Sequence, residues 1–200
     1  INKDSFIKVN VGESGTVLRF LLPLLALRRS QSSITGKGTL VGRPNKFLTQ
    51  ALRRMGRNVK GQGEKESVPI KISSGALKGG DVFIDGSLSS QFISALLIVC
   101  PFLKENTRLR ITGRQIVSKP YIAMTQKVLE RAGIKIREQS SALYSIGGRQ
   151  AFKGLKKFVV PSDYGLAAFL LAAGALTKSD LTLKGFFADE FVQADGAILD

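Results

Sequence analysis

The sequence predicts an α/β protein built from repeated βαβαββ units with mixed sheets, and three observations carry that prediction. One pattern recurs: Ile34-Thr35-Gly36, Arg43-Pro44, Thr49-Gln50 and Met55-Gly56 return as Ile111-Thr112-Gly113, Lys119-Pro120, Thr125-Gln126 and Ala132-Gly133. The offset is 77 residues at the first element and the closing glycine, and 76 at the two between. So little slack means that one supersecondary unit is used at least twice. Each pattern also follows a small polar turn that runs into an apolar helix, at residues 12–22 and again at 86–97. A third copy starts at Ser162-Asp163-Tyr164-Gly165, and the short strand at 181–185 echoes Ile-Thr-Gly.

The elements follow in order. Residues 6–11 alternate and read as a strand. The turn at 12–16 opens a helix, and its small residues leave backbone N–H groups unobstructed at the helix start. Pro23 is expected to kink that helix or restart it. After Ile34-Thr35-Gly36 a second helix at 46–55 places Phe47, Leu48, Ala51, Leu52 and Met55 on one face, and Gly56 ends it. Residues 57–75 read as a hairpin with its polar connection at 61–65. The second unit repeats this scheme, with a strand at 81–84, a turn at Asp85-Gly86 and an apolar helix. Its second helix has Pro120 just inside the start, where a missing N–H costs nothing. Ile122, Met124, Val128 and Leu129 supply that helix's apolar face, and Gly133 ends it. Strands are expected at 134–136 and 142–146, a basic connection at 147–157, and the opening of the third unit at Phe158-Val159-Val160. The first helix of each unit should be buried and the second more exposed. The boundaries implied are 1–157 and 158–200. The latter segment is near the ~40-residue limit for a lone core, so it should expose apolar surface in isolation.

Composition narrows the chemistry. No apolar run reaches the ~18 residues of a membrane helix. The chain starts at Ile1 and stops inside a helix-like pattern, so we read it as a fragment. A single cysteine, Cys100, excludes an intramolecular disulfide in this stretch, and its apolar surroundings suit a packed thiol. Histidine is absent, which removes Ser-His-Asp and Cys-His catalysis here. A formal charge of +15 implies an anionic partner, or a solvated basic surface.

Candidate functional residues sit at helix starts, where free N–H groups favour anions. Ser89-Ser90-Gln91 adds two hydroxyls and an amide, although plain N-capping by Ser87 or Ser89 is, taken alone, the better account of such residues. Arg43 and Lys119 hold equivalent places before proline, where a cation opposes the helix dipole. Arg19, one turn into an apolar helix, suits either an anion ligand or a buried carboxylate's partner, and the sequence does not choose between them.

Gly15-Thr16-x-x-Arg19, Arg43-Pro44, Ala51-Leu52-x-x-Met55-Gly56, Ser89-Ser90-Gln91-Phe92, Ser118-Lys119-Pro120-Tyr121 and Ser162-Asp163 together resemble the 3-phosphoshikimate 1-carboxyvinyltransferase family along essentially the whole chain. The resemblance implies an inside-out α/β barrel fold with two similar three-unit domains. This chain would hold units two and three of the first domain at 1–157 and the start of the second at 158–200. It implies transfer of the enolpyruvyl group of phosphoenolpyruvate to shikimate 3-phosphate, with no metal or organic cofactor. Gly15, Arg43 and Gln91 would meet phosphoenolpyruvate; Ser89, Ser90, Gln91, Ser118 and Tyr121 would meet shikimate 3-phosphate. The family's catalytic acids and lysine would lie outside this chain. Glu13 departs from a frequent Asn, and Phe20 from Pro or Leu. A cytoplasmic monomer is expected, with small anionic substrates and neither nucleic acid nor membrane as partner. Three alternatives stand beside this: another enolpyruvyl transferase, an RNA 3′-phosphate cyclase of the same fold, or a basic nucleic-acid-binding module. Against the last, Trp is absent and the 12 Phe fall mostly at periodic apolar positions.

Overall fold

The computed structural model describes residues 5–155, 157–186, 193 and 195–199. The chain runs β1 (Ile7–Asn10), α1 (Gly15–Ala26), β2 (Ser32–Thr35), a 3-10 turn (Gly38–Leu40), α2 (Lys46–Arg54), β3 (Arg57–Gln62) and β4 (Ser67–Gly75). It then repeats as β5 (Gly80–Asp85), α3 (Ser90–Val99), a 3-10 turn (Cys100–Phe102), β6 (Thr107–Thr112), α4 (Lys119–Arg131), β7 (Ile136–Ser140) and β8 (Leu143–Ile146), followed by α5 (Tyr164–Thr177) and a 3-10 turn (Gly196–Leu199).

Two four-stranded mixed sheets result, ordered β1-β2-β4-β3 and β5-β6-β8-β7. In each the first pair is parallel and the other two are antiparallel, so the topologies are identical. The turns after the first strands match too: Asn10 Oδ1 accepts from Gly12 N at 2.9 Å, and Asp85 Oδ1 from Ser87 N at 2.8 Å. The repeat read from the sequence is therefore a repeat of fold.

The helices divide as expected. In α3 eight of ten residues are buried, and in α1 six of twelve. By contrast α2 buries four of nine and α4 two of thirteen. The α1 and α3 helices pack on each other, so Leu18, Leu22, Phe92, Ile93 and Leu96 join the sheet residues Ile34, Ile70, Val82 and Leu109 in one core shared by both units. Each of these large side chains contributes about 1.5–3 kcal/mol by leaving water. Gly56 and Gly133 end the second helices at φ +97° and +88°, the left-handed region that a Cβ disfavours.

Four expectations need correction. Pro23 does not restart the first helix: α1 runs through it, held by burial of Leu22, Pro23, Leu25 and Ala26 around the missing N–H. The connection in the first hairpin lies later than 61–65, because Gly61 and Gln62 still belong to β3 and the chain turns at 63–66. The strand expected at 134–136 begins only at Ile136 and continues to Ser140, and its partner begins at Leu143. Ile134 is buried in the connection instead, with its N–H bonded to the Leu129 carbonyl at 2.9 Å. Residues 158–160 and 181–185 form no strand among the described residues, where they meet no ladder to join. The helix predicted after Ser162-Asp163 is present as α5, capped by Asp163 Oδ1 accepting from Leu166 N at 3.1 Å. It buries no residue, and Phe169 and Leu176 are 77% and 85% exposed.

Candidate anion-binding site

Within each unit the first two strands are parallel, so the connections that follow them leave the same sheet end. Backbone bonds tie each pair of connections together: Lys37 N donates to Gly12 O at 2.8 Å, and Val117 N to Gly86 O at 3.1 Å. This is why residues far apart in sequence converge. Ser89, Ser90, Gln91, Ser118 and Tyr121 line one hollow of about 300 Å³ together with Arg19. A second, mainly apolar hollow of about 360 Å³ adjoins it, sharing Ser90, Gln91 and Tyr121 and lined further by Phe20, Met124 and Val128.

Capping accounts for one serine and not the other. Ser89 Oγ accepts from Gln91 N at 3.3 Å, as an N-cap does. Ser87 instead gives its hydroxyl to Asp85 Oδ1 at 2.5 Å. Ser118 precedes α4 but its side chain caps nothing, and it sits at φ +52°, ψ +45°. A non-glycine residue held there costs of order 1 kcal/mol, and such strain concentrates at functional sites. Lys119 follows as the first residue of α4, exposed.

Gly15 and Arg43 are neighbours. A Cβ built on Gly15 would lie 3.1 Å from Arg43 Nη1. The Arg43 backbone is clamped, since its carbonyl accepts from Asn45 Nδ2 at 3.0 Å and from Ser67 Oγ at 3.1 Å, while its side chain is exposed. Asn45 is fully buried and its role escaped the sequence reading, although Arg-Pro-Asn is a turn-forming string.

The structure resolves the ambiguity at Arg19. Its Nη1 donates to Gln91 Oε1 at 2.8 Å and to Ser89 Oγ at 3.1 Å, its Nη2 reaches Pro44 O at 3.4 Å, and the guanidinium stacks 4.8 Å over Phe92. Among the described residues it pairs with no carboxylate. Burial, and then the charge of Arg43, push its pKa below the ordinary arginine value. Gln91 also gives Nε2 to Thr16 Oγ1 at 2.9 Å, so it spans both units. Glu13 does not line the hollow; its carboxylate lies over Gly38, where a Cβ would stand.

The arrangement offers hydroxyl and amide donors and two nearby guanidiniums that pair with no acidic side chain among the described residues, which suits an anion with several oxygens. The family model described as EPSP synthase (3-phosphoshikimate 1-carboxyvinyltransferase) matches residues 2–200. The 3-phosphoshikimate 1-carboxyvinyltransferase of Methanococcoides burtonii is 38% identical over 195 residues, 96% of this chain and 44% of that protein. That of Colwellia psychrerythraea is 34% identical over 179 residues, 90% of this chain and 42% of its own length. The solved EPSP synthase of Acinetobacter baumannii superposes with a TM-score of 0.67 at 26% identity, covering 84% of this chain and 36% of that one. The chain thus spans less than half the length of the relatives it matches, and over that span its repeat, topology and sequence place it in the EPSP synthase (3-phosphoshikimate 1-carboxyvinyltransferase) family.

Proposed function

We propose that this chain supplies part of the substrate site of a transferase that moves the enolpyruvyl group of phosphoenolpyruvate to the 5-hydroxyl of shikimate 3-phosphate and releases phosphate. The observation that carries the reading is the meeting of Ser89, Ser90, Gln91 and Ser118 in one hollow beside Tyr121, with the Gly15–Arg43 pair near it. Ser89, Ser90 and Ser118 hold the shikimate phosphate, Tyr121 borders the ring, and Gln91 lies between the two substrates. Arg43 meets the anionic groups of phosphoenolpyruvate against the Gly15 backbone. Cations and donors placed there offset the repulsion between two polyanions and stabilise charge that develops as the 5-hydroxyl adds and phosphate leaves.

The catalytic acid and base groups belong to the remainder of the full-length protein, and this chain alone is inactive. Residues 1–157 form the first domain without its N-terminal repeat, and 158–200 begin the second; the uncovered apolar face of α5 supports that division. The full-length protein is a cytoplasmic monomer that binds no nucleic acid. Among the described residues no helix is long and apolar enough to cross a membrane.

The test uses the full-length protein and calorimetric titration. Each hydroxyl donor to a charged phosphate contributes about 1.5–3 kcal/mol, so Ser89→Ala with Ser118→Ala should weaken shikimate 3-phosphate by at least about 100-fold. Unphosphorylated shikimate should lose little. The fold should survive, since a lost cap costs only about 1 kcal/mol. Equal losses for both ligands would refute the phosphate assignment.

A further inference from the structure

One wall of the hollow is tied to a segment that neither the repeat nor the site reading singled out. The Tyr121 hydroxyl donates to Asp195 Oδ2 at 2.6 Å, across 74 residues of sequence. The contact is short and charge-assisted, about twice as strong as a neutral bond. Independent anchors hold the segment around Asp195 against the start of α5. Gln193 Oε1 accepts from Tyr164 N at 3.1 Å, and its Nε2 donates to Ser162 O at 2.6 Å. The Asp195 carboxylate then lies so near Gly165, in the first turn of α5, that a Cβ on Gly165 would stand 2.9 Å from its Oδ2. That glycine is therefore the residue that admits the carboxylate, and the positive end of a 14-residue helix favours a negative charge there. On the other side, Tyr121 belongs to the first turn of α4, whose Thr125 hydroxyl meets Ser94 Oγ of α3 at 2.8 Å.

We propose that Asp195 is a positioning residue for the anion site: it takes the Tyr121 hydroxyl as donor, turns the ring rather than the O–H towards the hollow, and couples that wall to the start of α5. The proposal rests on the reading of the hollow as the shikimate 3-phosphate site. Its chemical content is that Tyr121 offers the ligand an aromatic edge and face, because its one donor proton is already committed. Shape and orientation then come from Tyr121, and phosphate recognition from the serines, so loss of Asp195 loosens the ring without removing any phosphate donor. The same contact should be visible in the tyrosine itself. Asp195 first, then burial and the charge of Asp163, push the Tyr121 phenol up to about 12.

The experiment compares Asp195→Asn, Tyr121→Phe and the double variant in the full-length protein. Absorbance at 295 nm and pH 10.5 is read with and without Tyr121→Phe, so that the difference reports Tyr121 alone. In the parent Tyr121 should stay protonated. In Asp195→Asn it should return towards the ordinary value near 10, leaving about half or more of it ionised. For shikimate 3-phosphate, each single variant should raise Kd about three- to tenfold, and the double variant no further, because both remove one interaction. A Tyr121 titration unchanged by Asp195→Asn overturns the contact. Additive losses, or a parent-like Kd in Asp195→Asn, overturn the positioning role while leaving the phosphate site standing. A parent that takes up no shikimate 3-phosphate overturns the site reading and the positioning role together, and the tyrosine titration alone then still reports whether the two residues touch.

Discussion

Gly15→Ala separates what the fold needs from what the ligand needs. Gly15 is the first residue of α1, and its φ lies outside the left-handed region, so an alanine fits the backbone there. Alanine is also the better helix former by up to about 1 kcal/mol. What the new Cβ meets is Arg43 Nη1 at 3.1 Å, closer than the 3.4–4 Å of ordinary contact. The guanidinium must retreat by a few tenths of an ångström. It can do so at little cost, because it is the exposed end of a flexible side chain. Stability by denaturant titration should therefore change by less than about 1 kcal/mol, and in the stabilising direction.

The ligand has less freedom. An anion seated between the Gly15 backbone and Arg43 loses space to the Cβ and loses the alignment of a charge-assisted hydrogen bond worth about 1.5–3 kcal/mol. That corresponds to about 10- to 100-fold weaker phosphoenolpyruvate binding. Shikimate 3-phosphate, which the proposed assignment seats in the serine hollow, should change by less than about threefold. Calorimetric titration of phosphoenolpyruvate into the full-length protein saturated with shikimate 3-phosphate reads the first figure, and titration of shikimate 3-phosphate alone the second. Equal losses for both ligands, or no loss for either, would refute the placement of the ligand. A fall in stability above about 1 kcal/mol would instead show that the glycine serves the turn.

Two further outcomes follow from buried groups. Arg57 is 1% exposed and gives its guanidinium to the carbonyls of Arg29, Ser30 (2.7 Å) and Gly75, so Arg57→Ala strands three backbone acceptors and should cost about 3–5 kcal/mol in denaturant titration; less than about 1 kcal/mol would mean that water replaces it freely. The Cys100 thiol is fully buried, which pushes its pKa up to about 12, so a thiol reagent at pH 8 should react only on unfolding. The unfolded thiol ionises near 8.5, so this group's stabilisation is present below that pH and is lost as pH rises towards 12; rapid labelling of the native chain would contradict both statements.

Much of this arrangement was legible because repetition is a property of sequence. Two matched strings 76–77 residues apart implied two matched units, and the parallel first strands then required the connections carrying Ser89 and Ser118 to leave one sheet end. Helix stops were legible too, since Gly56 and Gly133 have one conformational purpose. The weaker signals failed where a residue's setting is decided by distant neighbours. Strand β7 is exposed along most of its length, so its alternation could not be separated from that of the buried Ile134 before it. Pro23 read as a kink or a restart, and the restart failed because local rules count the missing N–H and not the core that closes around it. Arg19 meets Ser89 and Gln91 at separations of 70 and 72 residues, and Tyr121 meets Asp195 at 74; no window along the chain contains both partners.

The surroundings of Arg19 and Arg43 differ: the first guanidinium is held by its neighbours and the second is exposed. Two guanidiniums held close without a carboxylate repel, and the depressed pKa of Arg19 records that cost after the larger one of burial. Arg19 offsets its share internally, through neutral acceptors and the Phe92 ring, and in doing so uses oxygens on Ser89 and Gln91. A hydroxyl that accepts from Arg19 and from Gln91 N still has its own proton to give, and Ser89 lines the hollow. The half-buried Arg19 thus holds Ser89 and Gln91 in place, while Arg43 has a clamped backbone and an exposed head, which on the proposed reading faces the ligand. On the proposed reading, an anion placed between them offsets a repulsion that neither arginine can remove alone, so its charge contributes to binding beyond its hydrogen bonds.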